Sequence, residues 1–437
     1  MKGSIFQTIL LVGLGFILVI AVLIFSGLLP GFRAAPLGQA ATVTVWGTTR
    51  LSSVSPYLNK VNKKIEKSYR IVYIEKSEAN LNDELLEALA TDQGPDLVIL
   101  PAELIFQNRN KFQTLPFENF TERQYQDAFV DGANLFRTTG GYLALPLAVD
   151  PLVLYYSKEI YRDAGLLSPP ANWEEFVLQQ PKLTRINDLR QIDRSAVAFG
   201  TNNNIANFKD IISLLVLQAG GRPLALSGDN YQSGLTVTTA SFNPTELALS
   251  FYNQFADPTR ATYTWARSLP EARDFFVAGR LANYFGLASE LPTLLARNPH
   301  LELDVAAVPR LNRGTNLTFG RFYAAAVLRN SPRSSYAYSA AFELALADHG
   351  AEVGEWHQLM GLPPVRRSLL GRTPTDAFGP VFYREALASQ AWSDPDPVAT
   401  KTVIGEMIND AATGRLTPGG AVAKADKALQ VIIENSR

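Results

Sequence analysis

The chain contains no cysteine. That absence removes disulfide staples, thiolate nucleophiles, cysteine-ligated metal sites and any lipid linked through an amino-terminal thioether. Stability must come from burial, which a chain of 437 residues can supply because the buried fraction of surface rises with size. Histidine is nearly absent as well. His300, His349 and His357 are the only three, and their spacing fits none of the zinc-hydrolase patterns. Charge of one sign is not in excess, with 40 Lys and Arg against 41 Asp and Glu and a formal net charge of −1. Without a clustered basic field there is no electrostatic footprint for nucleic acid. The one basic cluster, Lys60, Lys63, Lys64 and Lys67, has the spacing of a solvated helix face. A Gly-x-Ser-x-Gly elbow, a Ser-x-x-Lys pair and a phosphate-cradling Gly-x-x-x-x-Gly-Lys loop are also missing. No cofactor and no metal are expected.

One long hydrophobic run is present. Thr8–Leu29 holds no ionisable side chain and lies between Lys2 and Arg33. A bilayer core of roughly 30 Å needs about 20 apolar residues of helix, so the run is long enough to span. It exceeds the ~7–15 apolar residues of a secretory signal, and the nearest small-residue pair, Ala40–Ala41, lies well beyond it. A retained single-pass anchor is therefore expected in preference to a cleaved signal. Lys2 and the amino terminus stay cytoplasmic under the positive-inside bias, which places the bulk of the chain outside the cell membrane. Residues 33–41 form a short tether.

Beyond the tether the hydrophobic period alternates. Thr42–Trp46 is a β-branched run, Pro56–Lys67 carries Leu58, Val61 and Ile65 at helical spacing, and Arg70–Glu75 is again strand-like. Leu81–Ala90 follows as a helix with Asn80 as N-cap, and Pro95–Leu100 as a third strand. This β-α-β-α-β order predicts a parallel sheet flanked by helices, with ligands outside the carboxyl ends of the strands. Around Gly140–Tyr156 a strand, a Pro-flanked polar interruption at Pro146–Pro151 and a second strand read as a crossover between lobes. Ser157 and Asn172 are candidate helix caps, and Gly165 ends the first of those helices. An amide-rich loop, Phe199–Asn204, precedes an apolar helix over Lys209–Ala219. Leu301–Val308 and Phe319–Leu328 are strand-like, and from about Ser335 the chain is mostly helical.

Aromatics recur beside amides and carboxylates at loop positions: Trp46-Gly47-Thr48, Asp150, Tyr155, Asn202–Asn204, Tyr263–Arg267, Phe285-Gly286, Glu290 and Gly320-Arg321-Phe322-Tyr323. Taken singly, a buried aromatic usually just packs. Their recurrence at strand ends points instead to a neutral polyhydroxylated ligand. Sugar rings stack an apolar C–H face on an aromatic, while their hydroxyls need donors and acceptors that leave no buried polar atom unpaired.

Four segments in order resemble family 1 extracellular solute-binding proteins, the maltose-binding-protein-like receptors of ABC importers. They are Val43–Gly47, Leu85–Leu97, Leu145–Lys158 and Ala272–Ala282. The resemblance runs from residue 41 to about 437. It implies an α/β type II periplasmic-binding-protein fold, two lobes with an interlobe cleft, three crossings and a sugar held between the lobes. The lobes are expected as 41–149 plus 306–350 and 150–305 plus 351–437, after an anchor and tether over 1–40. Carried over by position, the ligand loops fall on Trp46, Thr48 and Arg50, on Leu100, Pro101 and Glu103, on Asp150, on Asn203 and Asn204, and on Phe285-Gly286-Leu287. The last turn carries Phe285 where the family's maltodextrin binders usually stack a Trp. Tyr155, Trp265, Glu290 and Arg321 complete the candidate set, with Asp150 expected as an ionised acceptor and Trp265 as a stacking surface.

The expected function is that of a membrane-anchored, non-enzymatic, monomeric receptor. It closes on a mono- or oligosaccharide and presents it to ABC permease subunits. A sensor or chaperone of the same fold would share every residue named. An extracytoplasmic glycoside hydrolase would need a carboxyl pair about 5–10 Å apart across the cleft.

Overall fold

A computed structural model of the chain describes residues 41–436 apart from 190, 228–229, 240, 312–315, 351–353 and 373. Thr8–Leu29 and most of the tether lie outside the described residues. Among the described residues no helix is long and apolar enough to cross a membrane.

The first strand, Ala41–Gly47, buries Val43 and Val45 on one face, and it pairs in parallel with Tyr69–Glu75 and Leu97–Pro101. The helix between the first two strands, Leu51–Ile65, packs Val54, Tyr57, Leu58 and Val61 inward at helical spacing. It begins a turn before the expected Pro56, because the Glu75 carboxylate accepts the Leu51 N–H at 2.7 Å and so satisfies a donor that a helix start leaves orphaned. The next helix is Leu81–Ala90 as expected, although Asn80 makes no side-chain cap bond. Ser157 and Asn172 do cap, accepting the N–H groups of Ile160 at 3.3 Å and Glu175 at 2.8 Å.

The expected interruption at Pro146–Pro151 is instead one continuous strand, Leu145–Ser157. Each proline removes a donor from the ladder. The antiparallel partner Thr318–Val327 accommodates this with a register shift between Tyr323 and Ala324, where Ala324 faces Pro146. The first half of the long strand pairs with Thr318–Val327, and its second half with Leu281–Leu287 and Leu303–Ala306. A single sheet thus runs from one lobe into the other.

Two separate cores flank this seam. The first gathers the strands of residues 41–101, Val149, Phe322, Ala340, Trp356, Val365 and Ala386. The second gathers Leu152, Phe199, Trp265, Phe285, Val308, Phe319, Trp392, Ile408 and Leu429. Val308 packs in the second core, Trp356 and Val365 in the first, and Phe378, Val381 and Phe382 pack against the second while Ala386 belongs to the first; Ser389–Gln390 then pairs with Thr318–Phe319. These crossings are tightly apposed. A Cβ on Gly320 would lie 2.5 Å from Ser389 Oγ and 2.8 Å from Val149 Cγ2, so only glycine fits there.

Candidate ligand-binding site

At the middle of the long crossing strand Asp150 stands in register opposite Arg321, which places both side chains on one face where the lobes join. Asp150 is 1% exposed, and its Oδ1 accepts the Ser289 N–H at 2.9 Å from the second lobe. Burial pushes this carboxyl up to about 6, opposed by the Ser289 hydrogen bond and by the Arg321 charge. The low-polarity setting thus moves the titration of the expected ionised acceptor toward neutral pH. Arg321 donates from Nη2 to Asp210 Oδ2 at 2.7 Å, and the Asp210 carboxylate holds the guanidinium firmly charged. Its Nε is buried without a hydrogen-bond partner.

From the first lobe Glu103 enters the same space, in the opening turn of helix Ala102–Gln107 just past the third strand. Its Oε2 is buried with no partner. Desolvation raises the Glu103 carboxyl, against the pull of Arg321 and, more weakly, of Lys209. Tyr323, two residues from Arg321, lies within the fields of Asp150 and Glu103, and burial pushes its hydroxyl up. Lys209 is ion-paired with Asp394 and donates to Thr400 Oγ1 at 3.0 Å. The junction is therefore a polar, largely desolvated site built by both lobes and their crossings.

Other residues expected from the sequence are placed differently. Trp46 is 7% exposed, with the Lys76 ammonium 3.8 Å from its ring centroid and Lys76 bonded to Glu84 at 2.6 Å. Thr48 is half-buried and Arg50 exposed, both beyond the end of the first strand. Trp265 is 0% exposed. It packs edge-on to Phe275 at 5.5 Å and donates its indole N–H to Asn204 at 3.1 Å, so in this structure it presents no face for stacking. Asn204 also donates to the Ala266 and Leu269 carbonyls at 3.0 and 2.9 Å, making the pair a loop clasp. Asn203 is exposed and reaches the Arg267 carbonyl at 3.4 Å. Tyr155 is fully buried and donates to the Leu287 carbonyl at 2.8 Å.

Glu290 is saturated by its own lobe. It accepts from Asn207 Nδ2 at 2.7 Å, the Leu287 N–H at 2.9 Å and the Tyr284 hydroxyl at 2.6 Å. Gly286 lies under this network, where a Cβ would come within 2.6 Å of Tyr284 and 3.1 Å of Glu290. The turn thus buries Gly286 and Leu287 and brings the backbone N–H of the exposed Ser289 to Asp150.

A family model for bacterial extracellular solute-binding proteins matches residues 57–376. The chain belongs to that family. Diacetylchitobiose-binding protein DasA of Streptomyces coelicolor is 26% identical over 166 residues, which is 38% of this chain and 36% of that protein. The match thus spans about a third of that relative's length. Among solved structures, a cyclo/maltodextrin-binding protein complexed with maltotetraose has a TM-score of 0.71 at 17% identity, covering 91% of this chain and 98% of its own. A solute-binding protein from Thermotoga lettingae bound with tagatose has a TM-score of 0.60 at 19% identity, covering 90% and 100%. These likenesses establish the fold.

The sequence reading of this solute-binding protein missed Asp210, Lys209, Asp394 and Ser289. A signal existed for two of them, since Lys209 and Asp210 are the only charges in the otherwise apolar helix Phe208–Gln218. The raised Asp150 carboxyl has a measurable consequence. An exposed Asp titrates near 3.9, so between about 4 and 6 the folded state binds the proton more tightly and stability falls as pH rises through that window. Asp150→Asn keeps an acceptor for Ser289 and removes the buried charge. The ligand-free variant is expected to be more stable than wild type above pH 6, by on the order of 2–3 kcal/mol at ~1.4 kcal/mol per pKa unit, and no more stable below pH 4. Melting curves of both proteins from pH 4 to 8 check this.

Proposed function

We propose that this solute-binding protein captures a carbohydrate at the lobe junction and delivers it to an ABC importer from the outer face of the membrane, held there by Thr8–Leu29. The observation that carries the reading is the pair of buried, unpartnered atoms of opposite character, the acceptor Glu103 Oε2 and the donor Arg321 Nε, in a site shared by both lobes. Leaving such atoms unpaired is costly, and a hydroxyl, being donor and acceptor at once, can serve either of them. The ligands of the similar proteins described above, diacetylchitobiose, maltotetraose and tagatose, are all saccharides. Domain closure supplies contacts present only in the closed state, which is what lets a ligand shift the equilibrium.

A thermal-shift screen of the detergent-solubilised full chain against saccharides, amino acids and oligopeptides tests this reading. A ligand at 100 times its Kd stabilises by roughly 2.7 kcal/mol. The expected result is a shift with a saccharide. A shift confined to amino acids or peptides would overturn the carbohydrate reading, and turnover of a chromogenic glycoside would replace the receptor with a hydrolase.

A further inference from the structure

We infer that the solute held at the lobe junction carries a protonated amine beside its hydroxyls, as an amino sugar does; this rests on the carbohydrate reading above and names its chemical class. Charge balance at the junction is the basis. Asp210 is matched by Arg321 at 2.7 Å, and Asp394 by Lys209. Glu290 takes three hydrogen bonds from its own lobe and has Arg273 at 3.9 Å. Glu103 and Asp150 remain, both within the field of the one guanidinium that Asp210 already engages, and among the described residues neither forms an ion pair of its own.

The unpartnered atoms say what is missing. Glu103 Oε2 needs a donor, and Arg321 Nε, nearby in the same electrostatic neighbourhood, needs an acceptor. A neutral sugar hydroxyl would satisfy both geometrically and leave the surplus negative charge desolvated. An ammonium group donates up to three hydrogen bonds and also cancels charge, while an adjacent hydroxyl oxygen accepts from Arg321. A phosphorylated or uronic sugar would bring a further anion among Glu103, Asp150, Asp210 and Asp394, where like charges repel. The elevation of the Glu103 and Asp150 carboxyls agrees, since both are held up by burial that a bound cation would offset.

Calorimetry of the full chain in detergent at pH 6.5 tests the inference with matched triads that differ only at one substituent: chitobiose, diacetylchitobiose and cellobiose, and glucosamine, N-acetylglucosamine and glucose, with the galacto counterparts. The free amine is expected to bind at least ten-fold tighter than either neutral member of its triad. Glu103→Gln is expected to reduce that preference to under three-fold, because the amine loses a charge-assisted partner and is weakened more than the neutral members. A neutral member that binds as tightly as its amine, or a preference that survives Glu103→Gln unchanged, overturns the inference and leaves the carbohydrate reading standing. Binding of none of these sugars, with binding of spermidine or glycine betaine instead, overturns the carbohydrate reading itself.

Discussion

Arg321→Met is expected to abolish ligand binding and to lower stability by about 2–3 kcal/mol, toward the low end for a broken buried ion pair because the guanidinium is itself partly solvated. The loss arises from what remains. Asp210, with a side chain 4% exposed, would lose the cation it touches at 2.7 Å, and Glu103 and Asp150 would lose the positive field that opposes their desolvation. Two further variants separate folding from function. Arg321→Lys keeps the charge without the planar fork and should recover stability better than affinity. Arg321→Met combined with Asp210→Asn removes both partners and should recover most of the stability while binding stays lost. Denaturant unfolding and calorimetry on the same preparations check both. A double variant no more stable than the single one would show that the Arg321 methylenes pack in the core and that charge matters little.

The second large effect is expected away from the ligand. Glu385, 0% exposed, holds Arg310 through two 2.6 Å contacts, and so ties the segment after strand Leu303–Ala306 to helix Gly379–Ala388, which feeds the last crossing. Burial already pushes the Arg310 guanidinium down, opposed by Glu385. Glu385→Leu leaves that largely buried cation with the Leu317 carbonyl but no counter-charge, and is expected to cost about 3–5 kcal/mol. The urea midpoint should fall with an unchanged slope, because the surface exposed on unfolding is the same. A midpoint within experimental error of wild type would mean that Arg310 finds solvent once released.

The α/β layering was legible because its signals are local. The β-branched run within Ala41–Gly47 and the buried Leu81 and Leu85 of helix Leu81–Ala90 are readable from residue type and period. The crossing strand was read as broken because proline is normally excluded from a ladder, and the register shift that tolerates Pro146 is contributed by a strand more than 150 residues away in sequence. The site is a similar case. Asp150 and Arg321 could be selected as charges beside aromatics and, for Asp150, from the family resemblance, but both lie within strands and their apposition depends on antiparallel pairing that no short window contains. Trp265 and Tyr155 have the residue type of a sugar platform and the burial of a core, and burial is a property of the assembled lobe. Asp210 was passed over because a charge in the first turn of a helix is ordinary on its own. Only the arrival of Arg321 from the crossing strand gives it a role.

A crystal structure of the complex with the tightest saccharide from the screen tests the central claim most directly. The sugar is expected to lie between the lobes, with one polar atom within about 3.2 Å of Glu103 Oε2 and another within about 3.2 Å of Arg321 Nε, distances set by ordinary hydrogen-bond geometry. A sugar bound elsewhere, such as against the apolar hollow lined by Trp173, Leu215 and Phe251 in the second lobe, with Glu103 and Arg321 still unpartnered, would contradict it.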